Sequence, residues 1–129
     1  MAEAQYVVQL LSIQQSYQDS MYELVELTSA ATQDTSLMID DEWRTKNAVV
    51  FATWRLNGER LRGLESPEAY RSAHDHFVAA SHHFDAAADY FAEGIDKFDA
   101  DSITLGIAEM QAAQEDMLKS SDALEALVE

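Results

Sequence analysis

The stretch that decides the fold runs from Ser66 to Asp99 and reads SPEAYRSAHDHFVAASHHFDAAADYFAEGIDKFD. Aromatic and small residues recur in it at alternating steps of three and four, the spacing that lines one face of an α-helix. These residues are Tyr70, Ala73, Phe77, Ala80, Phe84, Ala87, Ala88 and Phe91. An apolar stripe of this kind needs partner helices, because one amphipathic helix cannot bury its own apolar face.

Three other stretches carry the same spacing and supply those partners. Together the four patterns predict helices over residues 3–31, 41–63, 67–97 and 102–127 of a single domain spanning residues 1–129. The connections between them are short or moderate, which makes neighbouring helices antiparallel. The sequence therefore predicts an all-α protein, an antiparallel up-down-up-down four-helix bundle.

Capping residues mark the predicted helix starts. Short polar side chains that can accept bonds from free backbone N–H groups precede the second, third and fourth helices. They are Asp40 or Asp41, Ser66 followed by Pro67, and Asp99 or Asp101. We expect the third helix to continue through Gly94.

Most large apolar residues are assigned to the core. The predicted core face of the fourth helix holds Ile103, Ile107, Met110, Met117, Ser121, Leu124 and Leu127. The aromatic residues are interpreted as core rather than as a cofactor site: Tyr6, Tyr17, Tyr22, Trp43, Trp54, Tyr70, Phe77, Phe84 and Phe91. Apolar residues off these stripes either form an oligomer surface or widen the core: Val7, Leu11, Val25, Val49, Phe51 and Leu56.

Charge limits the classes of partner. The formal net charge is −16, which argues against nucleic-acid binding because counterion release requires a basic surface. Residues 41–64 are the net basic segment, and we interpret their cations as partners of acidic neighbouring helices, with docking of an anionic partner as the alternative. Without cysteine the chain has no disulfides and no thiolate metal sites.

No apolar run approaches the ~18 residues of a membrane span, so none is expected. The N-terminus lacks the basic start of a signal peptide. This is also expected if a leader was removed and replaced by an initiator methionine.

All four histidines lie between His74 and His83, beside several aspartates. Imidazole and carboxylate groups are common ligands of zinc, and a site formed by His82, Asp85 and Asp89 is the metal hypothesis. At ~100° per residue the four histidines do not converge. The competing interpretation places them in solvated or flank positions with ordinary ion pairing. Stoichiometric zinc should raise the melting temperature if the metal hypothesis holds, and His82→Ala with Asp89→Ala should abolish that rise.

Other site motifs fail on spacing. A calcium loop starting at Asp99 would need glycine and glutamate where Thr104 and Met110 stand. There is no glycine-rich phosphate loop, nucleophile elbow or zinc-protease motif. The sequence therefore predicts a protein that is not an enzyme and needs no cofactor.

The chain also resembles a known group. Trp43-Arg44, Ser66-Pro67-Glu68-Ala69-Tyr70, Ala87-Ala88-Asp89, Gly94-Ile95-Asp96 and Phe98-Asp99-Ala100-Asp101 are similar to uncharacterised helical domains of exported bacterial proteins and lipoproteins. The likeness covers most of the chain from about Tyr17. It implies an exported or cell-envelope location, with the cytoplasm as the alternative, and assigns no activity.

Three functions follow as expectations. The first is an interaction or scaffolding module of a bacterial envelope or secreted assembly, which binds a protein partner or itself through helix faces. The second is a ligand- or metal-binding sensor bundle with an interior pocket lined by Trp43, Trp54, Asn47 and Asn57. The third is an acidic phosphate mimic that inhibits a DNA-binding protein.

Overall fold

A computed structural model of the chain describes residues 3–128. It contains four α-helices, α1 (Glu3–Gln33), α2 (Asp41–Arg62), α3 (Arg71–Lys97) and α4 (Ala100–Val128). Short 3-10 turns cover Thr35–Ile39 and Glu68–Tyr70, and residues 3–128 contain no β-strand. The predicted all-α four-helix bundle is confirmed. The predicted domain also included Met1, Ala2 and Glu129, which lie outside the described residues.

Cross-helix contacts show that sequential helices run antiparallel. Between α1 and α2, Trp43 Nε1 donates to Leu27 O at 2.9 Å, and Asn57 Nδ2 donates to Ser16 Oγ at 3.0 Å. As residue numbers rise on α2, they fall on α1. The same reversal holds from α2 to α3 and from α3 to α4, so the up-down-up-down order is complete.

Aromatic rings fill the middle of the bundle. Tyr17 stacks on Phe84 with 4.2 Å between ring centroids, and Trp54 lies against Phe84 at 5.1 Å. Phe51 stacks on Phe91 at 6.0 Å. The assignment of aromatic residues to the core is correct for these rings but wrong for Tyr22, which is exposed on α1.

Small residues line the contact between α3 and α4. Buried small side chains recur every seven residues on both helices: Ala73, Ala80, Ala87 and Gly94 on α3, and Gly106, Ala113 and Ser120 on α4. They allow the two backbones to approach closely. The contact between α3 and α4 is the most extensive of the contacts between helices. The predicted core face of α4 is therefore partly wrong, because Ile107 and Leu127 are exposed while Gly106 and Ala113 are buried.

The predicted caps are right for two helices and wrong for one. Asp40 Oδ2 accepts from Trp43 N at 2.9 Å, and Asp99 Oδ1 accepts from Asp101 N at 3.0 Å. Helix α3 starts at Arg71 and not at Pro67, because Pro67 has an extended ψ of 148° and a 3-10 turn follows it. Ser66 therefore does not cap α3, which does continue through Gly94 as expected.

The arginines of α2 pair with aspartates of α3. Arg44 lies 3.6 Å from Asp96, and Arg62 lies 3.3 Å from Asp85. Arg55 pairs with Asp89. The interpretation of the basic segment as a partner of a neighbouring acidic helix is confirmed for these three residues.

The apolar residues off the predicted stripes divide between core and surface. Phe51 is buried and Val7 packs against the core, whereas Leu11, Val25, Val49 and Leu56 are exposed. Among residues 3–128, every helix falls short of the length and hydropathy that crossing a membrane requires.

Candidate functional site

The two aspartates of the metal hypothesis pair with arginines of α2. His82 is exposed, Asp85 pairs with Arg62, and Asp89 pairs with Arg55. In the described part of the chain no group of three or more histidine, aspartate or glutamate side chains is placed to hold a metal ion. The zinc site stays a prediction, and two arginines already neutralise the carboxylates that a cation would need.

The remaining histidines contact other helices. His74 is buried, and its Nδ1 lies 2.7 Å from the hydroxyl of Tyr6 on α1. His83 Nδ1 lies 2.6 Å from Glu109 Oε2, and its Nε2 lies 3.5 Å from Asp116 Oδ2. The expectation of solvated or flank histidines fits His82 and His83, which links α3 to α4, whereas His74 is not solvated and is buried against α1.

Asp85 is the most unusual carboxylate in this region. Burial raises the pKa of Asp85, and the nearby guanidinium of Arg62 offsets part of that effect. Asp85 Oδ1 is buried without a hydrogen-bond partner among the described residues. With Arg62 paired to it and Arg55 and His82 nearby, the Asp85 carboxylate is better explained by ion pairing than by acid–base chemistry.

The best-formed concave site lies at one end of the bundle. It is an apolar cleft of about 500 Å³ between the C-terminal end of α1, the start of α2, the end of α3 and the start of α4. Its walls include Leu24, Ala31, Met38, Trp43, Phe91 and Ile103. This volume and this mainly apolar wall are typical of small-molecule sites in proteins.

Glycine and a reversed backbone shape the wall that α3 and α4 contribute. A Cβ on Gly94 would lie 2.6 Å from Ile103 Cδ1, so a larger residue at this position would displace the Ile103 side chain from the end of α3. Phe98 ends α3 in the left-handed region, with φ 52°, and the following Asp99 caps α4. The tight turn leaves the Phe98 ring exposed at the mouth of the cleft.

Arg44 holds the segments around the cleft together. Its Nε donates to Met38 O at 2.6 Å, and its Nη2 donates to Ile95 O at 3.1 Å. The guanidinium also lies 5.5 Å from the centre of the Phe98 ring, a cation–π distance. One side chain of α2 thus fixes the turn after α1 and the end of α3.

Asn47 is the buried polar side chain of the cleft wall. It is 2 % exposed, and its Nδ2 donates to Trp43 O at 2.9 Å on its own helix. Its Oδ1 receives no hydrogen bond from the described residues and keeps some contact with solvent, which leaves an accessible acceptor in a mainly apolar wall. A ligand that carries a donor would replace solvent at this oxygen with a direct hydrogen bond.

The structure gathers half of the predicted pocket. Trp43 and Asn47 line the cleft. Trp54 and Asn57 lie elsewhere, because Trp54 Nε1 donates to Ser20 Oγ at 2.9 Å and Asn57 bonds to Ser16. Sequence reasoning missed Arg44 as a residue that builds the site. The only signal for that role was its position one turn after the Asp40 cap, which places it near the end of the bundle.

The chemistry of the cleft is suited to binding rather than to catalysis. Among the described residues that line it, Asp99 alone is ionisable, and its carboxylate already accepts bonds from Asp101 and Ser102. A general acid or base needs a free titratable group near the substrate. The cleft offers an apolar surface, hydroxyls of threonines and the Asn47 oxygen.

Comparisons with protein-family models, with curated proteins and with solved structures return no match. The function is therefore inferred from the geometry and chemistry of the chain itself.

Proposed function

We propose that the chain is a non-catalytic binding bundle whose end cleft takes a small, mainly apolar molecule with one hydrogen-bond donor. The observation that carries this proposal is the mainly apolar cleft of about 500 Å³, whose wall holds Asn47 with an Oδ1 that receives no hydrogen bond from the described residues. An apolar ligand would displace water from the wall, and its donor would pair with Asn47. This is the sensor-type function expected from Trp43, Trp54, Asn47 and Asn57, with Trp43 and Asn47 alone of these four lining the cleft and without a metal.

The two tryptophans supply a direct test, with n-octanol as the probe. Trp43 lines the cleft and Trp54 does not. In the Trp54→Phe variant, n-octanol should shift the emission of the remaining Trp43. In the Trp43→Phe variant, emission should stay unchanged. No shift in either variant, together with no rise in melting temperature at saturating n-octanol, would overturn the proposal.

A matched pair of probes tests the role of Asn47. The methyl ether of n-octanol has a similar apolar chain but no O–H donor. We expect Asn47→Ala to weaken binding of the alcohol and to leave binding of the ether unchanged. Equal weakening of both probes would show that Asn47 acts only through the shape of the wall.

A second candidate is the interaction or scaffolding module. It is favoured by a different observation, the exposed apolar residues Val8, Leu11, Tyr22 and Val25 of α1. Isolated exposed apolar side chains are ordinary, but several on one helix face are typical of a contact surface. Charge scanning of this face, with association measured by sedimentation, separates this candidate from the cleft, which lies at the end of the bundle.

The cellular location is part of the same proposal. The resemblance to exported bacterial domains supports an envelope or secreted location for a binding bundle. Fractionation of cells that express the full natural gene tests this location, and recovery of the protein in the cytoplasmic fraction alone would contradict it.

A further inference from the structure

Helix α1 carries a second heptad repeat on the side away from the bundle. Its buried side, the inner stripe, advances in steps of four and three through Tyr6, Leu10, Ile13, Tyr17, Ser20 and Leu24. The outer stripe follows the same steps two residues earlier: Ala4, Val8, Leu11, Gln15, Gln18, Tyr22, Val25 and Ser29. Two residues correspond to ~200° around a helix, so the stripes face opposite directions. All eight residues of the outer stripe are exposed.

The outer stripe lacks the charges expected of a solvated face. Val8, Leu11, Tyr22 and Val25 are 66 %, 51 %, 70 % and 57 % exposed. None of the eight residues is charged, although the chain holds 24 acidic and 8 basic residues. The solvent face of a bundle helix is normally polar and charged, so this pattern indicates a face that a partner covers.

The order of residues identifies the partner as a second copy. The outer stripe reads A-V-L-Q-Q-Y-V-S, which is nearly the same from either end. An antiparallel copy related by a two-fold axis between Ser16 and Tyr17 pairs residues whose numbers sum to 33. Val8 then faces Val25 (8 + 25), and Leu11 faces Tyr22 (11 + 22). Two-fold interfaces require such self-complementarity, because the same patch meets itself.

Charge complementarity selects the antiparallel arrangement. Residues 4–18 contain no charged side chain, whereas Asp19, Glu23 and Glu26 follow in the second half of α1. An antiparallel pair sets each acidic half along the uncharged half of its partner, towards the positive end of that helix dipole. A parallel pair sets like acidic residues against each other, which is destabilising.

We infer that the outer stripe is a self-association surface through which two copies of the chain pair antiparallel along α1. The inference rests on the second candidate function and is independent of the end cleft. The contact brings together the valines, leucine and tyrosine of both copies over about 25 Å of helix, at ~1.5 Å per residue.

Cysteine cross-linking tests both the contact and its direction, and the chain has no native cysteine to interfere. In the antiparallel pair, Val8→Cys in one copy lies beside Val25→Cys in the other. The two copies of residue 8 lie about 25 Å apart, at ~1.5 Å per residue over 17 positions. A mixture of the two variants should therefore form a disulfide-linked dimer, and Val8→Cys alone should not. Cross-linking of Val8→Cys alone would overturn the inference in favour of a parallel pair.

Sedimentation of the full chain over a concentration series tests whether the pair forms without cross-links. We expect a species of twice the 14.4 kDa chain mass. Leu11→Lys alone should raise the dissociation constant at least about tenfold, because the lysine would be buried beside an apolar residue. Leu11→Lys combined with Tyr22→Glu should restore pairing, because the introduced charges face each other only in the antiparallel pair. Leu118→Lys, at an exposed position on α4, is the control.

A chain that stays monomeric up to the solubility limit would overturn the inference. A photo-crosslinker at Leu11 in cells distinguishes this failure from failure of the interaction function. An adduct with a different protein would contradict self-association and leave the interaction function standing. Absence of any adduct at this position would contradict both.

Discussion

Helix α4 contacts α3 on one side and α1 on the other, and the two contacts differ in the size of the side chains that meet. Towards α3, the contact is made by Gly106, Ala113 and Ser120, each buried. Towards α1, long side chains such as Met117 and Gln114 border a groove, and Gln14 Nε2 donates to Ser121 Oγ at 3.2 Å. The backbones approach closely in the first contact and remain further apart in the second.

This difference explains where the cleft lies. Small residues every seven positions draw α4 onto α3, and close packing leaves no room there for a ligand. The contact of α4 with α1 has no such repeat, and the cleft opens between Leu24 and Ala31 of α1 and Ile103 of α4. A binding site can thus arise because a helix packs tightly against one neighbour and loosely against the other.

The largest expected effect comes from placing a larger residue at Gly106, in the contact of α4 with α3. This close contact is the closed contact, and the looser contact of α4 with α1 is the open contact. A Cβ at this position would lie 2.9 Å from the ring of Phe91, which is buried and stacked on Phe51. Gly106→Val should lower the free energy of unfolding by about 2 to 3 kcal/mol, because the ring cannot move without disturbing the core. Urea unfolding measures the change.

Ala108→Val is the matched control, at an exposed position on the same helix. It should cost about 0.5 kcal/mol through helix propensity alone. Equal losses for the two valine variants would contradict close packing at Gly106.

Adjacent serines of α4 allow a smaller and cleaner comparison. Ser120 Oγ donates to Ala73 O at 2.7 Å in the closed contact, whereas Ser121 accepts the longer bond from Gln14 in the open one. Ser120→Ala should lower the free energy of unfolding by about 1 kcal/mol, and Ser121→Ala by less. Thermal unfolding of both variants checks the order, and a larger loss at Ser121 would reverse our view of the two contacts.

The smallest expected effect is a pH dependence of stability that arises from His74, which contacts the N-terminal end of α1, the end away from the cleft. Burial lowers the pKa of His74 below its usual 6.5, despite the nearby Asp75, which raises it, while Arg71 lowers it further. The neutral ring shares a hydrogen bond with the Tyr6 hydroxyl, and the unfolded state binds the proton more readily. Stability contributed by His74 is therefore present above pH 6.5 and is lost as the pH falls through the folded pKa.

Urea unfolding between neutral and mildly acidic pH checks this sign. His74→Gln should flatten the pH dependence relative to the unaltered chain. A loss of stability towards acid that is as steep in His74→Gln would assign the effect to other groups.

The sequence was sufficient for the helices and much of the core, because the three-four spacing of large residues such as Tyr17, Trp54 and Phe84 follows helical geometry. It was only partly sufficient for α4, where Met117 is buried as predicted but Gly106, Ala113 and Ser120, none of them large and apolar, form the face towards α3. Small residues bring two helices close together only when the stripes of small residues on both helices face each other. Which helices face each other is decided by the tertiary fold and not by the spacing within one helix. For the same reason the cleft could be predicted only in part, through Trp43 and Asn47.

The most direct measurement compares an alanine-to-leucine substitution in the closed contact between α3 and α4 with the same substitution in the cleft between α1 and α4. Ala113 is buried between α3 and α4, and Ala31 lines the cleft. Ala113→Leu should lower the free energy of unfolding by about 2 kcal/mol through overpacking. Ala31→Leu should raise it by about 0.5 to 1 kcal/mol by filling the cleft, and should abolish n-octanol binding. Equal destabilisation by the two leucines, with n-octanol binding unchanged in Ala31→Leu, would contradict a closed contact on one side of α4 and an open one on the other.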